Sequence, residues 1–195
     1  MKRSSRQRGF TLIEMVGVLA IVALLAGMLV PRIFEAVRQT RVQHVVQNVN
    51  TLRAAVAAYF AKHGTLQGLV DYQETYQQSP DHLLVQEGYL DKPFETKFGK
   101  SPNPSTERYV YILTQAGLGP PDFRYDLDGD GTKDTANARY VMEVRLYGVS
   151  KEDAQFLSQI IDGEDLTPDP DRVGRVIRWT DGGGYPYVFI YIAHE

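Results

Sequence analysis

Gly9-Phe10-Thr11-Leu12-Ile13-Glu14 opens the longest apolar run of the chain, and residues 15–30 continue it as MVGVLAIVALLAGMLV without a single charge. From Phe10 to Val30 the one ionisable side chain is Glu14. A helix needs about 20 predominantly apolar residues to cross a bilayer, so residues 10–31 are expected to span a membrane. Residues 1–9 before them carry Lys2, Arg3, Arg6 and Arg8 and no acid. Basic flanks stay on the cytoplasmic side. The N-terminus is therefore expected in the cytoplasm, with residues 32–195 beyond the inner membrane. The run is longer than the apolar part of a secretory signal and ends on Pro31-Arg32, not on the small residues of an ordinary cleavage site.

A plain anchor does not explain Glu14. A carboxylate in a membrane span costs about 2.5–3.5 kcal/mol on insertion scales, and such residues usually have a partner and a function. The run offers no Lys or Arg to meet it. A cut after Gly9 would give Phe10 a positive α-amine. That amine could pair with Glu14, on a neighbouring copy more readily than on its own chain, and such a pair would set the register of an assembly.

These residues resemble the type III signal of type IV pilins and type II secretion pseudopilins. The match is glycine, phenylalanine and glutamate at these spacings, a basic leader before them and an apolar run after, over residues 1–32. The resemblance implies that a prepilin peptidase cuts between Gly9 and Phe10 and methylates Phe10. It makes Glu14 the assembly glutamate and Pro31 the proline common in that helix. It also implies other pilin or pseudopilin subunits as partners in a helical filament drawn from the inner membrane.

Helical spacing continues past Pro31. Val42, Val45, Val49, Leu52, Val56 and Tyr59 recur at three- and four-residue steps, widened by Val46 and Phe60, with Arg38, Gln43, Asn50 and Arg53 mostly opposite. Gly64 is the expected stop, after Lys62 and His63. Residues 65–104 read as mixed, with a short helix near residues 80–90 that Asp81 could cap and Gly88 could end. Strands are expected at residues 108–113, 139–147, 173–179 and 185–192, and a helix after Ser150 with Ala154, Leu157, Ile160 and Ile161 on its buried face. Asp181-Gly182-Gly183-Gly184 reads as a hairpin turn. The expected fold is α+β. A 1–9 leader precedes a 10–31 transmembrane helix; that helix continues as 32–63 into a 32–195 periplasmic domain, with an antiparallel, split βαβ-type sheet on its second half.

The second local signal is Asp126-Leu127-Asp128-Gly129-Asp130-Gly131-Thr132-Lys133-Asp134. Calcium takes six to eight hard oxygen ligands from a flexible loop. Acids at steps one, three, five and nine with glycine at six fit such a loop. The expected ligands are Asp126, Asp128, Asp130, the Thr132 carbonyl, Asp134 and Asn137. Asn137 stands where an EF-hand loop ends in a bidentate glutamate, which favours a weak, extracellular-type site. The further acids Asp162, Glu164, Asp165, Asp169 and Asp171 lack this spacing and read as a solvated loop.

Composition narrows the function. The 195 residues hold no cysteine, hence no disulfide and no thiolate metal site. The net charge is −3, and without the leader it is −7, from 17 basic against 24 acidic residues. A nucleic-acid partner held by a basic surface is not expected. His44, His63, His82 and His194 lack zinc-ligand spacing, and no nucleophile elbow, Walker loop or dinucleotide fingerprint occurs, so no enzyme is expected. Trp179 reads as core or interface. The domain lacks the cysteine pair of many pilins and is larger than the compact major pseudopilin usually is. The reading is therefore a minor pseudopilin of a type II secretion system. The alternatives are a minor pilin of a type IV or DNA-uptake pilus, or a signal-anchored calcium-dependent periplasmic binding or adhesion protein.

Overall fold

The computed structural model describes residues 10–102, 108–114, 125–163, 173–180 and 186–195. The chain forms two compact units, Met1–Thr40 and Arg41–Glu195. Helix α1 (Leu12–His63) runs through both, with Pro31 inside it. The elements after it are α2 (Gln67–Tyr76), α3 (Asp81–Gln86), β1 (Val110–Thr114), β2 (Tyr140–Tyr147), α4 (Lys151–Asp162), β3 (Val176–Thr180) and β4 (Pro186–His194).

In the second unit the valine stripe is the helix's core face. Val42, Val45, Val49, Leu52, Ala55, Val56 and Tyr59 are buried, and they share one core with Val110, Ile112, Met142, Val144, Leu146, Val176, Val188 and Ile190 of the sheet. Phe60 does not widen that stripe: it is exposed, because the next core position on the helix is already filled by Tyr59. Arg53 is not on a solvent face either. It reaches across the core edge and donates to the Tyr191 carbonyl at 2.7 Å. Gly64 ends α1 at φ +71°, a left-handed conformation that favours glycine, and its N–H bonds the Phe60 carbonyl at 2.7 Å.

The sheet is antiparallel throughout, in the order β1-β2-β4-β3. β2 and β3 run parallel with β4 between them and α4 connecting them, the split βαβ arrangement. Ser150 caps α4 by accepting from the Asp153 amide at 3.1 Å. Ala154 and Leu157 are buried as expected, but Ile160 is exposed. Residues 181–184, the expected hairpin turn, lie outside the described residues.

Two stretches depart from the expected layout. The mixed region contains a helix, α2, whose buried face is Leu69, Val70 and Tyr72. Gln73 on that helix uses both ends of its amide on β1, donating to the Ile112 carbonyl (2.7 Å) and accepting the Ile112 N–H (2.9 Å). It thereby closes backbone groups that an edge strand would otherwise present for pairing. Asp81 does not cap α3. It is buried, and its carboxylate accepts the Phe94 N–H at 2.6 Å, pinning the following loop. Glu195 closes the domain: its carboxylate accepts the Leu66 N–H (2.6 Å) at the start of α2, and its backbone pairs with Tyr140.

Candidate functional site: the first helical turn and the acidic loop

Glu14 sits in the first turn of α1, where backbone N–H groups lack intrahelical acceptors. Its carboxylate accepts the Thr11 N–H at 2.8 Å and the Thr11 hydroxyl at 2.7 Å, while the Thr11 hydroxyl accepts the Glu14 N–H at 3.3 Å. This is a capping box, T-x-x-E, in which each side chain serves the other's backbone. Thr11 is not among the residues singled out from sequence, although its spacing from Glu14 carries the signal. The Glu14 carboxylate thus has two donors from its own chain among the described residues. Neither is a cation, and a carboxylate has lone pairs to spare for an amine.

Around this turn the helix surface is bare. Phe10, Leu12, Ile13, Met15, Leu19, Leu24 and Met28 are all more than half exposed. The apolar stretch is long enough to cross a membrane, and none of it is buried inside the chain. An uncharged, uncovered helical surface of this kind needs lipid or other helices. It fits a membrane anchor. Phe10 lies just before the helix, Pro31 lies within it, and Gly9 lies outside the described residues.

The acidic loop is folded on its own carboxylates. Asp126 is buried, and its two oxygens accept the Gly129 N–H (2.8 Å) and the Gly131 N–H (3.1 Å). Gly129 and Gly131 have φ of +80° and +89°, which lets the chain coil around that carboxylate. Asp128 accepts the Asp130 N–H at 3.2 Å. Asp130 accepts the hydroxyl and amide of Thr132, and these bonds, the hydroxyl's first, lower its pKa. Carboxylate oxygens of Asp126, Asp128 and Asp130 come within 4.8 Å of one another. Of the other expected ligands, Asp134 turns an oxygen to the Leu127 N–H (2.6 Å), and Asn137 is exposed. The geometry therefore gathers the first three acids and leaves Asp134 outside that group.

A buried relay joins the loop to the sheet. Tyr125, fully buried, donates its hydroxyl to Glu143 on β2 at 2.8 Å, and Glu143 accepts from Arg145 Nε at 2.6 Å. Burial first, and then the neighbouring Glu143 charge, push the Tyr125 pKa well above its ordinary value. The hydroxyl thus keeps its proton and its role as donor. The Arg145 guanidinium also lies over the rings of Tyr111 and Phe189. The Asp126 carbonyl accepts the Gly174 N–H at 2.7 Å. Beside it, Asp162 accepts the Arg175 and Val176 N–H groups at 2.7 and 3.1 Å, so it holds the start of β3 and is no solvated loop acid. Burial raises its pKa in spite of those bonds. Residues 164–172, with the rest of that acidic stretch, lie outside the described residues.

The prokaryotic N-terminal methylation motif matches residues 4–30. The chain therefore carries a type IV pilin-like prepilin signal, which implies processing by a prepilin peptidase and assembly with other pilin subunits. No curated protein and no solved structure matches the chain.

Proposed function

We propose that this chain is a structural filament subunit, a pseudopilin of a type II secretion system, and a minor one by the size of its outer domain. It enters the inner membrane with its N-terminus in the cytoplasm. A prepilin peptidase cuts after Gly9 and methylates Phe10. The helix then carries the outer domain into a filament. The observation that supports this most is Glu14. It is a carboxylate in the first turn of a helix that carries no other charge up to Pro31 and is uncovered there, inside a methylation motif, with hydroxyl and amide donors but no cation among the described residues. The role is mechanical and not catalytic: recognition comes from the helix, and the sheet domain is cargo or coat.

The test is crosslinking in the native host with a C-terminal tag, followed by mass spectrometry of the captured chains and of this chain's own N-terminus. Methylated Phe10 with secretion pseudopilins attached is the expected result. Methylated Phe10 with pilus subunits would move the protein to a type IV or DNA-uptake pilus and keep the mechanism. Mature protein retaining Met1 would make it a signal-anchored adhesin and end the filament reading.

The acidic loop is proposed to take calcium. Asp126, Asp128 and Asp130 would supply carboxylate oxygens and Thr132 its carbonyl. Asp134 and Asn137 would complete the shell after a shift from the arrangement seen here. Three carboxylates this close repel one another unless a cation lies between them. Millimolar calcium is expected to raise the melting temperature of the outer domain by several degrees, and Asp128→Ala to remove the gain. At about 2–4 °C per kcal/mol for a domain of this size, occupancy at 100-fold over Kd gives about 2.7 kcal/mol. An unchanged melting curve in 5 mM calcium, about five times the weakest dissociation constant of extracellular modules, would exclude the ion.

A further inference from the structure

Just past the expected span, α1 presents Ile33, Phe34 and Val37 on one helical face, with Phe34 70% exposed. A stretch of about 20 residues from Phe10 already fills a bilayer core, so this face lies beyond the hydrocarbon. Arg38 and Arg41 follow Phe34 at steps of four and seven, on the same side of the helix. Arg38 lies 3.9 Å from Glu35 of the preceding turn, so this segment offers a neighbour an apolar head backed by Arg41 and by a guanidinium it shares with Glu35.

The outer domain holds a cleft of about 200 Å³ between α1 and the loop after α3. Leu52, Leu90, Pro93 and Phe94 give it an apolar lining, and Asp91 and Glu95, with Lys92 between them, leave its rim one negative charge in excess. Leu52 and Phe94 are themselves almost fully buried, so the cleft ends on the core. Its walls are fixed. Asn48 donates to the Glu95 carbonyl at 2.9 Å, and Asp81 holds the Phe94 N–H. The volume suits one large side chain, and the rim's net negative charge suits a basic helix.

We propose that this cleft receives Phe34 of a second copy of the chain, with that copy's Arg38 and Arg41 against Asp91 and Glu95. Both halves of the contact are on one chain and on different surfaces. Such a head-to-tail contact gives a ring where its rotation closes and an open helix where it does not; subunits strung along a filament take the second course. The inference rests on the filament reading and deepens it, naming the surface through which consecutive copies touch outside the membrane. A minor subunit meets its own kind this way wherever two copies are adjacent.

The absence of cysteine gives a clean test. Full-length chains carrying Phe34→Cys and, separately, Thr51→Cys at the cleft wall are tagged differently and co-expressed in the native host. They are then oxidised, or treated with a short bis-maleimide. A heterodimer linked 34 to 51 is expected, weakened at least fivefold by Asp91→Lys with Glu95→Lys and restored by adding Arg38→Glu with Arg41→Glu. Phe34→Ala is expected to leave the outer domain's melting temperature unchanged and to cut co-purification of two differently tagged copies of this chain at least tenfold. Dimers linked only 34 to 34, capture of a different subunit by the thiol at position 34, or shielding of that thiol by lipid without any partner would each overturn the proposal. Filaments with methylated Phe10 but no 34–51 link would sink this contact alone. A chain that keeps its leader and forms no filament would sink the filament reading with it.

Discussion

Glu14→Leu is expected to leave the protein in the membrane and to lower filament yield on the order of a hundredfold. The two outcomes have opposite signs because they weigh different terms. Insertion improves: leucine removes a charge that costs about 2.5–3.5 kcal/mol in a span. Assembly loses the proposed pair with a neighbour's Phe10 amine, and breaking a buried ion pair leaves the partner's charge uncompensated in a low-dielectric setting, a loss of about 3–5 kcal/mol per contact. The capping box supplies a sharper variant. Glutamine at position 14 can still reach back to the Thr11 N–H, as the T-x-x-E/Q pattern allows, but it cannot pair as an ion. Glu14→Gln should therefore keep the helix start and still assemble poorly. Wild-type filament yield from Glu14→Gln would reduce Glu14 to a helix cap. Thr11→Val loses the hydroxyl on both sides of the box, and a lost cap costs about 0.5–2 kcal/mol. Its effect should be the smaller of the two. Filament yield per membrane-resident subunit, by immunoblot of sheared filaments against membranes, measures all three.

Some of this is readable in the sequence, and the rest is hidden for identifiable reasons. The apolar run, the stripe from Val42 to Tyr59 and the cap at Ser150 each follow from local spacing, and all three are in the structure. The strands lie within about three residues of their expected ends, because β-branched and aromatic residues cluster there. α2 is not legible. Its sequence QGLVDYQETY has few apolar residues, and its place is secured by Glu195, which lies 129 positions from Leu66. Asp81 reads as a cap because aspartate before an apolar run usually is one; a long-range partner, the Phe94 amide, claims it instead. At the acidic loop the spacing of Asp126, Asp128 and Asp130 is legible. That Asp134 faces Leu127 depends on how the loop closes, which no spacing rule states. Glu143 can be placed on a strand from sequence, but not beneath Tyr125.

Glu143→Ala is expected to destabilise the outer domain strongly, lowering its melting temperature by about 10 °C. Glu143 is 4% exposed and serves two partners, the Tyr125 hydroxyl at 2.8 Å and Arg145 Nε at 2.6 Å. Alanine strands both. A buried hydroxyl without an acceptor costs about 1–3 kcal/mol, and removing one member of a buried ion pair costs about 3–5 kcal/mol. The Arg145 side chain keeps 28% of its surface exposed and its contact with two aromatic rings, which moderates the second figure. A total near 3 kcal/mol corresponds to about 6–12 °C at 2–4 °C per kcal/mol. Glu143→Gln keeps one acceptor and the shape, so it should lose about half as much. The same geometry predicts an alkaline limit. Tyr125 titrates above its unfolded value near 10, so its contribution is intact below that value and is lost as pH rises through its folded pKa. Tyr125→Phe should lower stability at pH 7 and flatten the fall above pH 10. Because Tyr125 precedes Asp126 directly, Glu143→Ala should also loosen the acidic loop. Amide exchange at Gly129 and Gly131 should then accelerate well before the sheet unfolds. Unchanged exchange there, together with a melting temperature within 2 °C of wild type, would show that the loop is held by its own aspartates alone.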